Sequence, residues 1–261
     1  MSKSLQEILT QKAQERKLLV PYLTFGYPGV PDFLELARIC AEEGADALEV
    51  GIPYSDPVAD GPVIQTTSYR ALTQGVTPKL VQETMEKVSL PIPLIAMTYG
   101  NIVFRYGVRG FASDFHRAGF RGLIVADFPL EARSMLREVD GLLEVILLVA
   151  VNSPVERIGE IARNSQGFVY LVSGKGTTGT VEIDLEALRR VVSVVRSVAA
   201  CPVLVGFGIH SPASAAQIAE IADGIIVGSA LLRFVLDHEG QPDLKVEFGK
   251  LVSQFRRALG G

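Results

Sequence analysis

Short runs of four to six apolar residues recur along this chain, each entered near a glycine or proline and left through a polar or glycine-containing loop. Gly44-Ala-Asp-Ala-Leu-Glu-Val-Gly51, Gly122-Leu-Ile-Val-Ala-Asp127, Gly167-Phe-Val-Tyr-Leu-Val-Ser-Gly174 and Gly224-Ile-Ile-Val-Gly-Ser229 are versions of one strand entry. Leu18 to Thr24, Pro93 to Thr98, Leu143 to Val149 and Pro202 to Gly206 bring the predicted strands to eight. Between them the period changes to that of a helix. Phe33, Leu36, Ala37, Cys40 and Ala41 fall on one helical face; Leu185, Leu188, Val192 and Val195 do the same behind an Asp184 cap, and Leu244, Phe248, Leu251, Val252, Phe255 and Leu259 mark a last helix. Near-continuous apolar strands alternating with helices predict a parallel sheet covered by helices, and eight such units favour closure into a (β/α)8 TIM barrel over an open sheet. The stretch Met1 to Lys17, polar with an apolar stripe at Leu5, Ile8 and Leu9, predicts an extra N-terminal helix on the surface. No polar linker divides the chain, so one barrel domain over 1–261 is expected.

Composition narrows the class. At 261 residues and 48% hydrophobic content the chain suits a barrel of roughly 250 residues. A net charge of −4 without a Lys/Arg block speaks against a nucleic-acid surface. Cys40 and Cys201 are too few for a disulfide framework or a zinc site, which points to a cytoplasmic setting. His116, His210 and His238 are far apart in sequence, so no shared metal site is expected. The most apolar stretch, Leu142 to Val151, is broken by Glu144 and is far short of the roughly 20 residues a membrane span needs.

Candidate chemistry begins at Glu49. It sits between Leu48 and Val50 in a strand, and Asp60 follows on a loop stiffened by Gly51, Pro53 and Pro57 and closed by Gly61-Pro62. Taken alone, Glu49 fits a hydrogen-bonded structural carboxylate and Asp60 fits a turn residue. Active sites of such barrels lie where strands end, and both acids fall on that side of the second unit. A second site is predicted at the opposite lip, in the loops after strands six to eight. Ser173 to Gly179, Gly206-Phe207-Gly208 and Gly228-Ser229 let backbone N–H groups approach an anion, and a helix starting at Gly228-Ser229 adds its dipole. Tyr22, Tyr99, Tyr170 and Phe207 would rim the mouth and, with Met97 and Ile226, form a flat apolar slot. Lys175 fits a solvated or anion-steering group better than a Schiff-base lysine.

The segment Leu48-Glu49-Val-Gly51-Ile-Pro53-Tyr-Ser55-Asp56-Pro57-Val-Ala-Asp60-Gly61-Pro62 resembles the signature of the tryptophan synthase α subunit family. The likeness runs in order through Pro21-Tyr22-Leu-Thr24, Met97-Thr-Tyr99-Gly-Asn101, Val125-Ala126-Asp127, Gly206-Phe207-Gly208-Ile and Gly228-Ser229, which is essentially the whole chain. The resemblance implies cleavage of indole-3-glycerol phosphate to indole and glyceraldehyde 3-phosphate. It also implies no cofactor in this chain, and delivery of indole to a β subunit that carries pyridoxal phosphate, in an α2β2 assembly. Glu49 and Asp60 would be the catalytic acids. Tyr22, Met97, Tyr99, Ala126, Tyr170, Phe207 and Ile226 would contact the ring, while Gly179, Gly208, Gly228 and Ser229 hold the phosphate. Thr178 would bond Asp60 when its loop closes, and Pro53, Asp56 and Pro57 would face the β subunit.

The chain departs from that family at Ser173-Gly174-Lys175-Gly176-Thr177-Thr178-Gly179, where members usually carry Ser-Arg followed by Gly-Val-Thr-Gly, and at Tyr54, where Phe is commoner. The altered loop leaves open a stand-alone lyase that releases free indole. A non-catalytic activator of the β subunit is the rival of another class; it has no use for both acids. A sugar-phosphate isomerase would carry a different acid or His pair, without the Gly51 to Gly61 loop.

Overall fold

The computed structural model describes residues 3–172, 184–206 and 208–260. Strands β1 (Leu18–Thr24), β2 (Leu48–Gly51), β3 (Leu94–Thr98), β4 (Phe120–Val125), β5 (Glu144–Ala150), β6 (Val169–Val172), β7 (Val203–Gly206) and β8 (Gly224–Val227) pair in parallel and in chain order. β8 returns to β1, with Leu18 opposite Gly224, and the barrel is closed. Each of the eight predicted runs is a strand. Residues of β1, β2, β3, β7 and β8 are buried throughout, because one face fills the barrel and the other lies under helices.

The helices among the described residues are α1 (Leu5–Glu15), α2 (Val30–Glu42), α3 (Pro62–Thr73), α4 (Pro78–Met85), α5 (Gly100–Tyr106), α6 (Val108–Arg117), α7 (Val155–Asn164), α8 (Leu185–Val198), α9 (Pro212–Ala219), α10 (Ser229–Asp237) and α11 (Leu244–Ala258). A 3-10 run, Leu130–Val139, follows β4. The apolar spacing settles which faces turn inward. Phe33, Leu36, Ala37 and Cys40 of α2 are buried, as are Leu188, Val192 and Val195 of α8, and Ala41 at the edge of its stripe is half-buried. Asp184 caps α8 by accepting from the Ala187 N–H at 2.9 Å, satisfying one of the amides a helix start leaves unpaired.

The N-terminal helix forms as predicted, with its polar side exposed and its apolar stripe turned to the barrel. Leu5 and Leu9 are wholly buried. Leu5 lies over Gly122 and Gly167 at the strand-entry end of the barrel, so α1 covers the lower mouth. Glu144 explains the placement: its carboxylate accepts from the Leu5 N–H at 2.8 Å and the Gln6 N–H at 2.9 Å, which neutralises the positive start of α1. The charge that interrupts the most apolar stretch of the sequence is thus a tether.

A second tie at this end joins both ends of the described chain to β2. The wholly buried Asp46 accepts from Arg16 at 2.6 Å, from Arg256 at 3.1 Å and from the Leu19 N–H at 3.0 Å, and Lys12 lies 3.3 Å away. Arg256 is nearly buried and also donates to the Lys17 carbonyl at 2.6 Å. Removing the carboxylate leaves a guanidinium without its counter-charge in a place water barely reaches. Asp46→Ala is therefore expected to lower the unfolding free energy by about 3–5 kcal/mol in urea denaturation, and Arg256→Leu added to it to recover part of the loss.

Candidate active site

Glu49 lies in the middle of β2, opposite Tyr22 of β1 and Ile95 of β3. Strand alternation sends Leu48 and Val50 one way and Glu49 the other, towards the barrel interior. Glu49 is 1% exposed, and its Oε2 has no hydrogen-bond partner among the described residues. After β2 the Ile52 N–H still donates to the Met97 carbonyl at 2.9 Å, and the chain then leaves the sheet for the loop that ends at Gly61, the N-cap of α3. Asp60, on that loop, is 8% exposed.

Tyr99, just past β3, fixes the loop. Its hydroxyl faces the Asp60 carboxylate and accepts from the Ala59 N–H at 3.3 Å. Gln65 of α3 donates to the Asp60 carbonyl at 2.8 Å. Tyr54 stacks on Tyr99 with ring centroids 5.1 Å apart, and its hydroxyl accepts from Asn101 at 2.9 Å. The added hydroxyl at position 54 therefore has a partner.

Burial separates the two acids. It pushes the Glu49 carboxyl up to about 8, with the negative charge of Asp60 adding to the rise. Burial also pushes Asp60 up, to about 6, against the lowering effect of the Tyr99 hydroxyl. The pair titrates as a coupled unit, with one proton held firmly across neutral pH. Tyr22 and Tyr170 have their phenols raised well above the usual value, first by burial and then by these carboxylates, so both remain neutral walls.

Two glycines make room for those rings. A Cβ on Gly51 would stand 2.0 Å from the Tyr22 hydroxyl, and one on Gly206 would stand 2.3 Å from the Tyr170 hydroxyl. The sequence suggests an anion role for the glycine at the end of strand seven; the structure gives it this packing role. Gly208 has φ +76° and is exposed, Gly228 is the N-cap of α10, and Ser229 opens that helix at the surface.

Tyr22, Glu49, Asp60, Tyr99 and Tyr170 thus form one electrostatic cluster. Met97 and Ile226 are buried near the ends of β3 and β8, and Ala126 is half-buried past β4, its N–H donating to the Thr98 carbonyl at 2.9 Å. Thr178, Gly179 and Phe207 lie outside the described residues. Of the loop positions expected to face a partner, Asp56 is exposed and Pro57 half-buried, whereas Pro53 is buried at the base of the loop. Pro53 is thus not part of the loop's outer surface, and Val58 on the same loop is 75% exposed. Sequence reasoning missed the work of Thr24 and Thr67, whose hydroxyls meet at 2.8 Å, and of Asp127, which accepts from the Gly100 N–H at 2.8 Å and anchors α5. Each histidine bonds a backbone carbonyl, and no acid, His or Cys cluster able to hold a metal ion occurs among the described residues. A cavity of about 1120 Å³ between α1, Arg121 and Glu144 lies at the opposite end of the barrel, and neither acid lines it.

Eight parallel strands closed in chain order, with helices around them, make this a (β/α)8 barrel, and two buried carboxyls lie at its strand-end mouth. The family model described as tryptophan synthase alpha chain matches residues 8–258. The chain is 38% identical to the tryptophan synthase alpha chain of Halorhodospira halophila, over 99% of this chain and 97% of that one. It is 40% identical to that of Dehalococcoides mccartyi, over 94% and 96%. Among solved structures it is similar to a Mycobacterium tuberculosis tryptophan synthase chain, at 38% identity and TM-score 0.87 with 99% of each chain covered. The Legionella pneumophila tryptophan synthase subunit alpha gives 33% identity and TM-score 0.88, with 100% and 99% covered. The chain belongs to the tryptophan synthase alpha chain family.

The close approach of Tyr22 to β2 carries a direct consequence. Gly51→Ala is expected to cost about 1–3 kcal/mol of stability in urea denaturation through overpacking, and Tyr22→Leu in the same chain to recover most of it.

Proposed function

We propose that this chain cleaves indole-3-glycerol phosphate to indole and glyceraldehyde 3-phosphate as the lyase step of tryptophan biosynthesis. The observation that supports this reading best is the pair of acids at one mouth, pushed up to about 8 and about 6. Breaking the bond between indole C3 and the glycerol carbon needs a sink for two electrons, and a proton added at C3 supplies it by turning the ring into an indolenine. Glu49, protonated at neutral pH, gives that proton. The side-chain hydroxyl then loses its proton as its carbon becomes a carbonyl, and the Glu49 carboxylate takes it, so protons balance over the turnover. Asp60, ionised in the same range, accepts from the ring N–H and offsets the positive charge that grows there. Tyr22, Met97, Tyr99, Ala126, Tyr170, Phe207 and Ile226 hold the ring. Gly179, Gly208, Gly228 and Ser229 hold the phosphate, so that binding at the unreactive end orients the reacting one. Thr178 fixes Asp60 once its loop closes.

In this reading residues 1–261 act as one barrel domain in the cytoplasm. The exposed Asp56 and Val58 and the half-buried Pro57, on the loop that carries Asp60, dock a β subunit holding pyridoxal phosphate, in an α2β2 assembly that receives the indole. Docking there acts directly on the position of an acid, which is the physical route for a partner to raise turnover. The cofactor belongs to the partner, and every proton in the cleavage is moved by this chain.

Incubating the pure protein with indole-3-glycerol phosphate, with and without a β subunit, and following indole tests the proposal. Cleavage that rises many-fold with the partner supports it. Equal rates in both arms favour a stand-alone lyase, and a chain that only raises β-subunit turnover is an activator. Glu49→Gln and Asp60→Asn are each expected to lower kcat on the order of 10²-fold or more. The wild-type kcat/KM should follow a bell with limbs near the two pKa values, rising as Asp60 ionises and falling as Glu49 loses its proton. Undiminished indole release by Glu49→Gln contradicts the assignment.

A further inference from the structure

The loop from Pro53 to Asp60 leaves the sheet and is tied back at few points. Among the described residues, three hydrogen bonds join it to other parts of the chain. Asn101 donates from Nδ2 to the Tyr54 hydroxyl at 2.9 Å, the Ala59 N–H donates to the Tyr99 hydroxyl at 3.3 Å, and Gln65 donates to the Asp60 carbonyl at 2.8 Å. The Ser55 hydroxyl is spent inside the loop, on the Asp56 carboxylate at 2.5 Å. Two of the three ties therefore run to one place, the turn from β3 into α5, and the rings of Tyr54 and Tyr99 stack beside them with an interplanar angle of 29°. That turn is itself well held. Asp127, past the end of β4, accepts from the Gly100 N–H at 2.8 Å, and the Tyr99 carbonyl accepts from the Ile102 N–H at 3.1 Å as α5 begins.

A ring stack sets the spacing of two side chains but lets them slide; a hydrogen bond at the far end of one ring stops the sliding. Without the Tyr54 hydroxyl, the exposed stretch Ser55 to Val58 would hang from the long Ala59 bond alone on this side. Ala59 precedes Asp60 directly, and the Tyr99 hydroxyl that receives its N–H also faces the Asp60 carboxylate. Slack at Tyr54 thus reaches the acid through one residue. We propose that Tyr54 is a positioning residue for Asp60: stacked on Tyr99 and anchored by Asn101, it holds the acid's loop against the β3–α5 turn in the free chain, a task that a docked partner takes over. The proposal rests on the lyase reading for its purpose. The takeover follows from where Asp56 and Val58 sit, exposed between the two ties, so that a surface seated on them restrains the same stretch. A shift of the order of 1 Å in a catalytic group is enough to slow a reaction without weakening binding of the substrate.

The test compares the wild type with Tyr54→Phe, Asn101→Ala and the double variant, using indole release with and without a β subunit and amide exchange in the unliganded chain. In the free chain each single variant is expected to lower kcat about threefold to tenfold, the worth of one hydrogen bond, with KM unchanged. The double variant should lose no more than either single one, because both remove the same bond. With the β subunit bound, the loss in Tyr54→Phe should shrink to less than about twofold. Exchange of the Ala59 amide should quicken by a factor similar to the loss in kcat, while the Gly100 amide, held by Asp127, exchanges as in the wild type. An unchanged Ala59 amide, equal quickening at Gly100, additive losses in the double variant, or a loss as large with the partner as without it overturns the inference. A wild-type protein that releases no indole in either arm overturns the lyase reading instead, and the two amides still report whether Tyr54 holds the loop.

Discussion

Glu49 is a carboxyl group placed where water cannot solvate its charge, and most of what surrounds it follows from that placement. A buried carboxylate without a partner must lose its charge or find a donor, and this one is kept neutral by its surroundings. Tyr22, Tyr170 and Tyr99 supply bulk and apolar faces. The Tyr99 hydroxyl faces Asp60 and accepts from the Ala59 N–H. Asp60, only slightly more exposed and stabilised by the Tyr99 hydroxyl, titrates lower. Two chemically similar groups thereby take opposite protonation states in the same pH range, the division of labour that proton transfer in both directions requires.

The barrel makes this arrangement possible because it can keep a strand buried on both faces and still open at one end. The strand-entry end is closed by α1, held through Glu144, and by the Asp46 charge network that gathers Lys12, Arg16 and Arg256. Rigidity there leaves the other end free to carry loops, and the loop after β2 uses that freedom. Its base is buried at Pro53, its exit is fixed by Gln65, and its outer residues Asp56, Pro57 and Val58 remain accessible. An acid on a loop that is pinned inside and open outside is suited to external control.

Much of this was legible in the sequence, and for identifiable reasons. All eight strands were, because parallel strands buried on both faces produce runs too apolar to be anything else. The faces of α2, α8 and α11 followed from spacing, and the Asp184 cap from its position. Glu49 and Asp60 stood out because a charge in such a run and a Pro/Gly-stiffened loop are both unusual. What was not legible depends on contacts distant in sequence. Nothing near Leu5 tells that it covers the barrel, since Glu144 lies 139 residues away. Gly206 read as a turn or anion glycine, and only the Tyr170 ring shows why a side chain is excluded there. Pro53 belongs to the same motif as Asp56 but points inward, a difference set by where the loop leaves β2. The Thr24 and Thr67 hydroxyls meet across 43 residues, which no local pattern reveals.

The claim on which the account turns is that the fold holds Glu49 neutral at a cost to stability, since the unfolded chain ionises that group freely. The native carboxyl stays protonated from about 4.5 up to about 8 while the unfolded one does not, so stability falls as pH rises through that window and levels off above it. Chemical denaturation of the wild type and Glu49→Gln between pH 4 and 9 measures this directly. The account expects the Gln variant to match the wild type near pH 4 and to exceed it by about 3 kcal/mol at pH 7. A stability difference that does not change with pH would contradict it.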